Sequence, residues 1–167
     1  MDLSRRRFLR GDLKPQQSDA IRLPWTISES HFIDGCTRCG DCIEACPQHI
    51  VNVADGGFPA LNFSARECTF CGKCTEACDR PLFDLTQAPW QQTARINDHC
   101  LTNNGIVCQN CKDACTPRAI GFQFGVGGIA TPNIDSETCN GCGACVAPCP
   151  TGSIKIVHTT QEMSVSS

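Results

Sequence analysis

Cys139, Cys142, Cys145 and Cys149, with Pro150 directly after them, form a C-x2-C-x2-C-x3-C-P run that restricts the fold more than any other feature of the chain. Three thiolates two residues apart can wrap a tight loop around one corner of an iron-sulfur cubane. The fourth, carried off by a short helix, points to a second cluster. Such a run predicts a partner run, and the chain has three more. They are Cys36, Cys39, Cys42 and Cys46 before Pro47; Cys68, Cys71, Cys74 and Cys78 before Asp79; and Cys100, Cys108, Cys111 and Cys115 before Thr116-Pro117. Together the runs use all 16 cysteines.

At that cysteine density a disulfide scaffold is the first competing reading, and it needs an oxidising compartment. Ser4-Arg5-Arg6-Arg7-Phe8-Leu9-Arg10 resembles the twin-arginine export motif, but Gly11 to Asp19 is polar, charged and interrupted by Pro15. An export signal needs an apolar region of about 7 to 15 residues there. The chain is therefore expected to be cytoplasmic, where thiols stay reduced and metal is the default reading of the runs. No window approaches the roughly 20 apolar residues of a membrane span. Zinc also takes four cysteines, but its modules separate two C-x2-C pairs by about a dozen residues or more. Here each intact quartet spans eleven positions and iron-sulfur ligation fits better.

The formal charge of -3 excludes a strongly basic nucleic-acid-binding chain, although Arg5, Arg6, Arg7, Arg10 and Lys14 crowd the first fourteen positions. No G-x-G-x-x-G or G-x4-G-K-[ST] fingerprint provides for a nucleotide or flavin. His31, His49, His99 and His158 show no paired metal spacing and read as surface or hydrogen-bonded residues. With all thiols committed, the chain looks like an electron carrier or accessory protein and not an enzyme.

A repeat sets the expected architecture. After the first run, Ile50, Val51 and Val53 suggest a strand, Asp55-Gly56-Gly57 a turn, and Phe58 to Phe63 a return strand. After the third, Ile120, Phe122 and Phe124 alternate, Gly125 to Gly128 turns, and Ile129 to Ile134 returns. From fourth Cys to next first Cys the distance is 22 residues in one case and 24 in the other. The expected fold is α+β, with tandem bacterial 2[4Fe-4S] ferredoxin-like modules of short hairpins and short helices. Residues 1–30 form a basic N-terminal arm, 31–91 the first module, 92–160 the second and 161–167 a flexible tail; Ser153 to His158 is an edge-strand candidate. Ile43, Phe70 and Val146 beside the cysteines, with Ile50, Phe63, Ile120, Phe122 and Ile134 on the hairpins, are the expected walls around the clusters.

If the first two runs fold together, one cluster takes Cys36, Cys39, Cys42 and Cys78, and the next takes Cys68, Cys71, Cys74 and Cys46. The last two runs repeat that exchange through Cys149 and Cys115, giving four [4Fe-4S] clusters in all. Nested pairing, run one with four and two with three, is the alternative. Run three departs most, since seven residues separate Cys100 from Cys108 where two are usual, which leaves room for a labile or three-iron cluster. Asp79 stands where proline is usual and is expected to alter the turn after Cys78.

The Ser4 to Gly11 start, Arg22-Leu23-Pro24-Trp25, and Glu29-Ser30-His31-Phe32 ahead of Cys36-Thr37-Arg38-Cys39 together resemble the NapF family. These are ferredoxin-type accessory proteins of the periplasmic nitrate reductase system, and the resemblance covers essentially the whole chain. It implies a cytoplasmic protein that contacts the precursor of the catalytic nitrate reductase subunit and assists its maturation before export. Arg5, Arg6, Arg7, Arg10 and Trp25 are the candidates for that contact. A general ferredoxin serving another oxidoreductase complex is the competing reading.

Overall fold

Runs of closely spaced cysteines and glycines favour turns over long regular elements, and the computed structural model, which describes residues 20–124 and 130–159, is built accordingly. Its helices are α1 (Glu29–Gly35), α2 (Asp41–Glu44), α3 (Lys73–Glu76) and α4 (Asn110–Asp113). Its strands are β1 (Val51–Val53), β2 (Pro59–Leu61), β3 (Gln92–Ile96), β4 (Ile120–Phe124), β5 (Ala130–Ile134) and β6 (Ile154–His158). Among the described residues, no helix is long and apolar enough to cross a membrane. Arg5, Arg6, Arg7, Arg10, the Gly125 to Gly128 turn and the tail at 161–167 lie outside the described residues.

Helices α2, α3 and α4 are single turns that start inside a cysteine run and carry its fourth thiol away from the first three. In the fourth run residues 144–148 do the same as a series of turns. Both expected hairpins form. β1 and β2 pair antiparallel with Val51 opposite Leu61, closed by a 3-10 turn at Asp55–Gly57. β4 and β5 pair with Ile120 opposite Ile134 and Phe122 opposite Pro132. Pro132 has no N–H to donate, which an edge position in a two-stranded ribbon tolerates.

The third sheet joins β3 to β6, antiparallel from Gln92 opposite His158 to Ile96 opposite Ile154. It closes the start of the second module onto its end. A shorter version closes the first module, where Thr26 pairs with Phe83. There the Ile27 N–H donates to the Leu82 carbonyl at 3.1 Å and the Asp84 N–H to the Trp25 carbonyl at 2.8 Å.

That closure corrects the expected arm. Residues 21–30 are part of the folded body, because Arg22, Leu23 and Pro24 are buried and α1 begins at Glu29. Arg22 holds the segment down by three interactions. It forms a two-pronged ion pair with Glu29 (2.8 and 2.7 Å), donates to the Pro59 carbonyl at 3.0 Å, and lays its guanidinium over Phe32 at 5.3 Å. A composition read as arm thus conceals an arginine whose charge is fully partnered on folding. Ser28 caps α1 by accepting the His31 N–H, and the His31 ring, expected to be hydrogen-bonded, donates from Nε2 to the Pro81 carbonyl at 2.8 Å.

One core serves both halves. Leu23, Ile50, Val51, Leu61 and Phe63 from the first pack in a single cluster with Ala94, Ile120, Ile154 and Ile156 from the second, and with Cys46, Cys111 and Cys145. Each such large side chain contributes about 1.5–3 kcal/mol. Of the expected walls, Ile50, Phe63 and Ile120 are buried, and Ile43, Phe122, Ile134 and Val146 pack partly buried against them. Phe70 is half-buried at the edge.

Candidate metal centre

All sixteen cysteines are free thiols. The structure gathers Cys36, Cys39, Cys42 and Cys78 around one cavity, with Phe32, Ile43 and Leu82 among its walls. Cys46, Cys68, Cys71 and Cys74 ring a second, walled by Pro24, Trp25, Ile50 and Leu61. Cys100, Cys108, Cys111 and Cys149 ring a third, walled by Leu101, Phe122 and Ile154. The remaining thiols form the fourth group: Cys139 and Cys115 act electrostatically on Cys142, as Cys139 and Cys142 do on Cys145. Runs one and two are therefore interleaved, as are runs three and four, and each fourth cysteine stands with the other run's first three.

Repeated backbone geometry explains why the thiols ring a space. Arg38, Phe70 and Gly141, each just before the second cysteine of its run, all adopt positive φ (59°, 54° and 67°). After the fourth cysteine, His49, Arg118 and Gly152 again have positive φ, and their N–H groups bond back to the carbonyls of Cys46, Cys115 and Cys149. The second run lacks this turn. The corresponding residue is Pro81, whose ring holds φ near -65°.

The long third loop also closes on itself. Thr102–Asn104 makes one 3-10 turn, ended by Gly105 at φ 79°. The Asn104 amide donates to the carbonyls of Asp98 and Cys100, and the Thr102 hydroxyl to that of Cys108. The seven-residue separation thereby returns Cys100 to the cavity of Cys108, Cys111 and Cys149.

Electrostatics differ between the quartets. Burial first, with the neighbouring thiolates adding to it, pushes Cys42 and Cys68 up to about 11 and Cys74 and Cys145 up to about 12. Four thiols crowded in an apolar shell repel one another once ionised, and only a polycation between them relieves that cost. Cys149 goes the other way. Burial raises it, but hydrogen bonds from the Thr151 hydroxyl and the Ser153 N–H outweigh burial and hold it below the usual thiol range. The Ser153 N–H reaches its sulfur at 3.3 Å, as the Ala119 N–H reaches that of Cys115.

Among the described residues, no three His, Cys, Asp or Glu side chains converge closely enough for a single metal ion. Four cysteines from interleaved C-x2-C-x2-C runs around one cavity suit an iron-sulfur cluster better than one tetrahedral zinc. Trp25, expected at a docking surface, is half-buried; it lines the second quartet's cavity, and its backbone N–H donates to the Pro89 carbonyl. Sequence reasoning missed Thr151 and Ser153; their place just after a C-P pair was the available signal.

Comparison with known proteins agrees with this geometry. Residues 34–82 and 106–153 each match a family described as a 4Fe-4S dicluster domain. The chain is 43% identical over 171 residues to the ferredoxin-type protein NapF of Haemophilus influenzae, covering 96% of this chain and 97% of that one. It is 43% identical over 155 residues to NapF of Escherichia coli K12, covering 92% and 94%. It is 29% identical over 168 residues to the methylamine utilization ferredoxin-type protein MauM of Methylorubrum extorquens, covering 89% and 76%.

Proposed function

The chain belongs to the NapF family of ferredoxin-type iron-sulfur proteins, and from that premise we propose that it assists maturation of the catalytic subunit of the periplasmic nitrate reductase in the cytoplasm, before that subunit's export. Each quartet holds one [4Fe-4S] cluster, four per chain, which when bound accepts and returns single electrons. The cysteines supply the ligation, the apolar walls limit solvent access, and N–H donors to sulfur adjust the potential of the third and fourth centres. The observation that carries this reading is the interleaving of four complete thiol quartets. With every thiol committed, no iron is left open to a substrate, which favours an electron-transfer or accessory role over an enzymatic one. Cys100 in place beside its three partners supports a four-iron occupant in the third quartet.

Recognition of the client rests on the basic arm. Loaded with four clusters of roughly -2 each, the chain carries about -11 against Arg5, Arg6, Arg7, Arg10 and Lys14 at its start. A basic segment beside an acidic body can serve as a separate docking element whose attraction salt weakens. Deleting residues 2–14 is expected to leave the cluster spectra intact and to weaken capture of the unexported catalytic subunit at low salt. Equal capture by full-length and deleted protein at low and high salt would remove the arm from the account. Binding of a general redox partner but not that precursor would favour the general electron carrier.

A further inference from the structure

The loop of the fourth run does more than surround its own quartet. Its Cys142 carbonyl accepts the Cys68 N–H at 2.8 Å, joining a cysteine of the fourth quartet to one of the second. Its Asn140 carbonyl accepts the Trp90 Nε1–H at 2.8 Å. Trp90 in turn stands edge-on to two rings of the first module, Phe63 at 6.3 Å and Phe70 at 5.2 Å.

The glycines of this loop are set by that contact and not by backbone conformation alone. Arg38 and Phe70 occupy the position of Gly141 in their own runs at nearly the same positive φ, so conformation does not demand glycine there. Close approach does. A Cβ on Gly141 would lie 2.7 Å from the Gln92 carbonyl oxygen and 2.9 Å from Trp90 Nε1. A Cβ on Gly143 would clash with the Phe63 ring at its Cδ1, whereas at the equivalent Gly40 it would meet nothing within 4 Å.

We propose that this loop is a junction between the modules that sets the second quartet beside the fourth, so that the four centres follow one another as first, second, fourth, third, with Trp90 and Gly141 as positioning residues. The proposal rests on the reading that the quartets hold clusters. Mutual influence among the thiols follows the same path: Cys42 acts on Cys74, Cys142 on Cys68, and Cys111 on Cys145. Spatial order thus departs from chain order, and the long-looped third run comes last.

Electron paramagnetic resonance of the loaded, dithionite-reduced full chain tests this, since neighbouring paramagnets speed each other's relaxation. Trp90→Ala and Gly141→Ala should lower the microwave half-saturation power several-fold while iron and sulfide per chain stay at the wild-type level. Gly40→Ala, at a positive-φ glycine (φ 96°) where the added Cβ meets nothing within 4 Å, should leave it unchanged. Full iron with unchanged relaxation in both junction variants overturns the junction; low iron in the wild type overturns the cluster reading instead. Trp90→Phe, which keeps a ring and loses only the N–H, covers the case in which the harsher variants load poorly. In the loaded chain it should speed exchange of the Cys68 amide hydrogen several-fold and leave that of Leu61 unchanged, and equal exchange at Cys68 overturns the proposal.

Discussion

Replacing Arg22 by methionine should loosen the segment that closes the first module and expose the second quartet. The side chain of Arg22 is 8% exposed, and three losses follow from its contacts. The Pro59 carbonyl is left without its buried donor, at about 1–3 kcal/mol. The guanidinium no longer lies over Phe32 and Phe58, at about 0.5–2 kcal/mol. The ion pair with Glu29 adds about 1 kcal/mol or less, because the Glu29 side chain is 47% exposed and solvent screens it. Methionine recovers part of the apolar contact, which leaves a net cost of about 3 kcal/mol. If that cost falls on local opening, amide exchange in the segment rises about a hundredfold. The amides to follow are Ile27, bonded to the Leu82 carbonyl, and Leu61, bonded to the Ile21 carbonyl. Because Pro24 and Trp25 line the second quartet's cavity, absorbance from that cluster should also bleach faster in air. A rise of less than about tenfold at both amides would refute the reasoning. Arg22→Lys, which keeps the charge without the planar fork, should fall between the two.

Cys46→Ser should disturb the cluster held by Cys68, Cys71 and Cys74 and remove about four irons per chain; a spectrum altered only in the cluster of Cys36, Cys39 and Cys42 would contradict the exchange. Thr151→Val removes the hydroxyl near Cys149 while the Ser153 N–H remains, and losing about 1 kcal/mol of preference for the more negative reduced form should lower the third centre's potential by about 40 mV. Redox titration checks it, and an unchanged or raised potential would count against that hydrogen bond. In the unloaded folded chain Cys74 and Cys145 keep their protons to about pH 12, so ligation must expel them and cluster affinity should keep rising with pH above 9, where ordinary thiols are already ionised. Competition with a chelator at stepwise higher pH measures this, and a plateau at pH 9 would contradict it.

Much of the site was legible because the cysteine spacing acts almost as a covalent constraint. Three thiols two residues apart admit few loop geometries, and the fourth must leave by the next turn, so the interleaving could be read from the runs. The hairpins were legible from alternation at Ile120, Phe122 and Phe124 and from the turn at Asp55-Gly56-Gly57. β3 was not. Gln92, Thr93 and Ala94 are polar or small, carry no alternating apolar signal, and are buried only because β6 covers them. The first module's true start was hidden for a similar reason, since a buried Arg22 is visible only when Glu29, Pro59 and the Phe32 ring come together in space. Gly141 gave no warning either. Glycine in a cysteine loop is unremarkable until Trp90 and Gln92 are seen against it.

The central claim is that four interleaved quartets hold four cubanes. Iron and acid-labile sulfide per chain, measured with Mössbauer spectroscopy on protein purified without oxygen, test it most directly. The account predicts about sixteen irons and about sixteen sulfides per chain, all in four-iron clusters. About eight irons after full reconstitution, or zinc in their place, would contradict it.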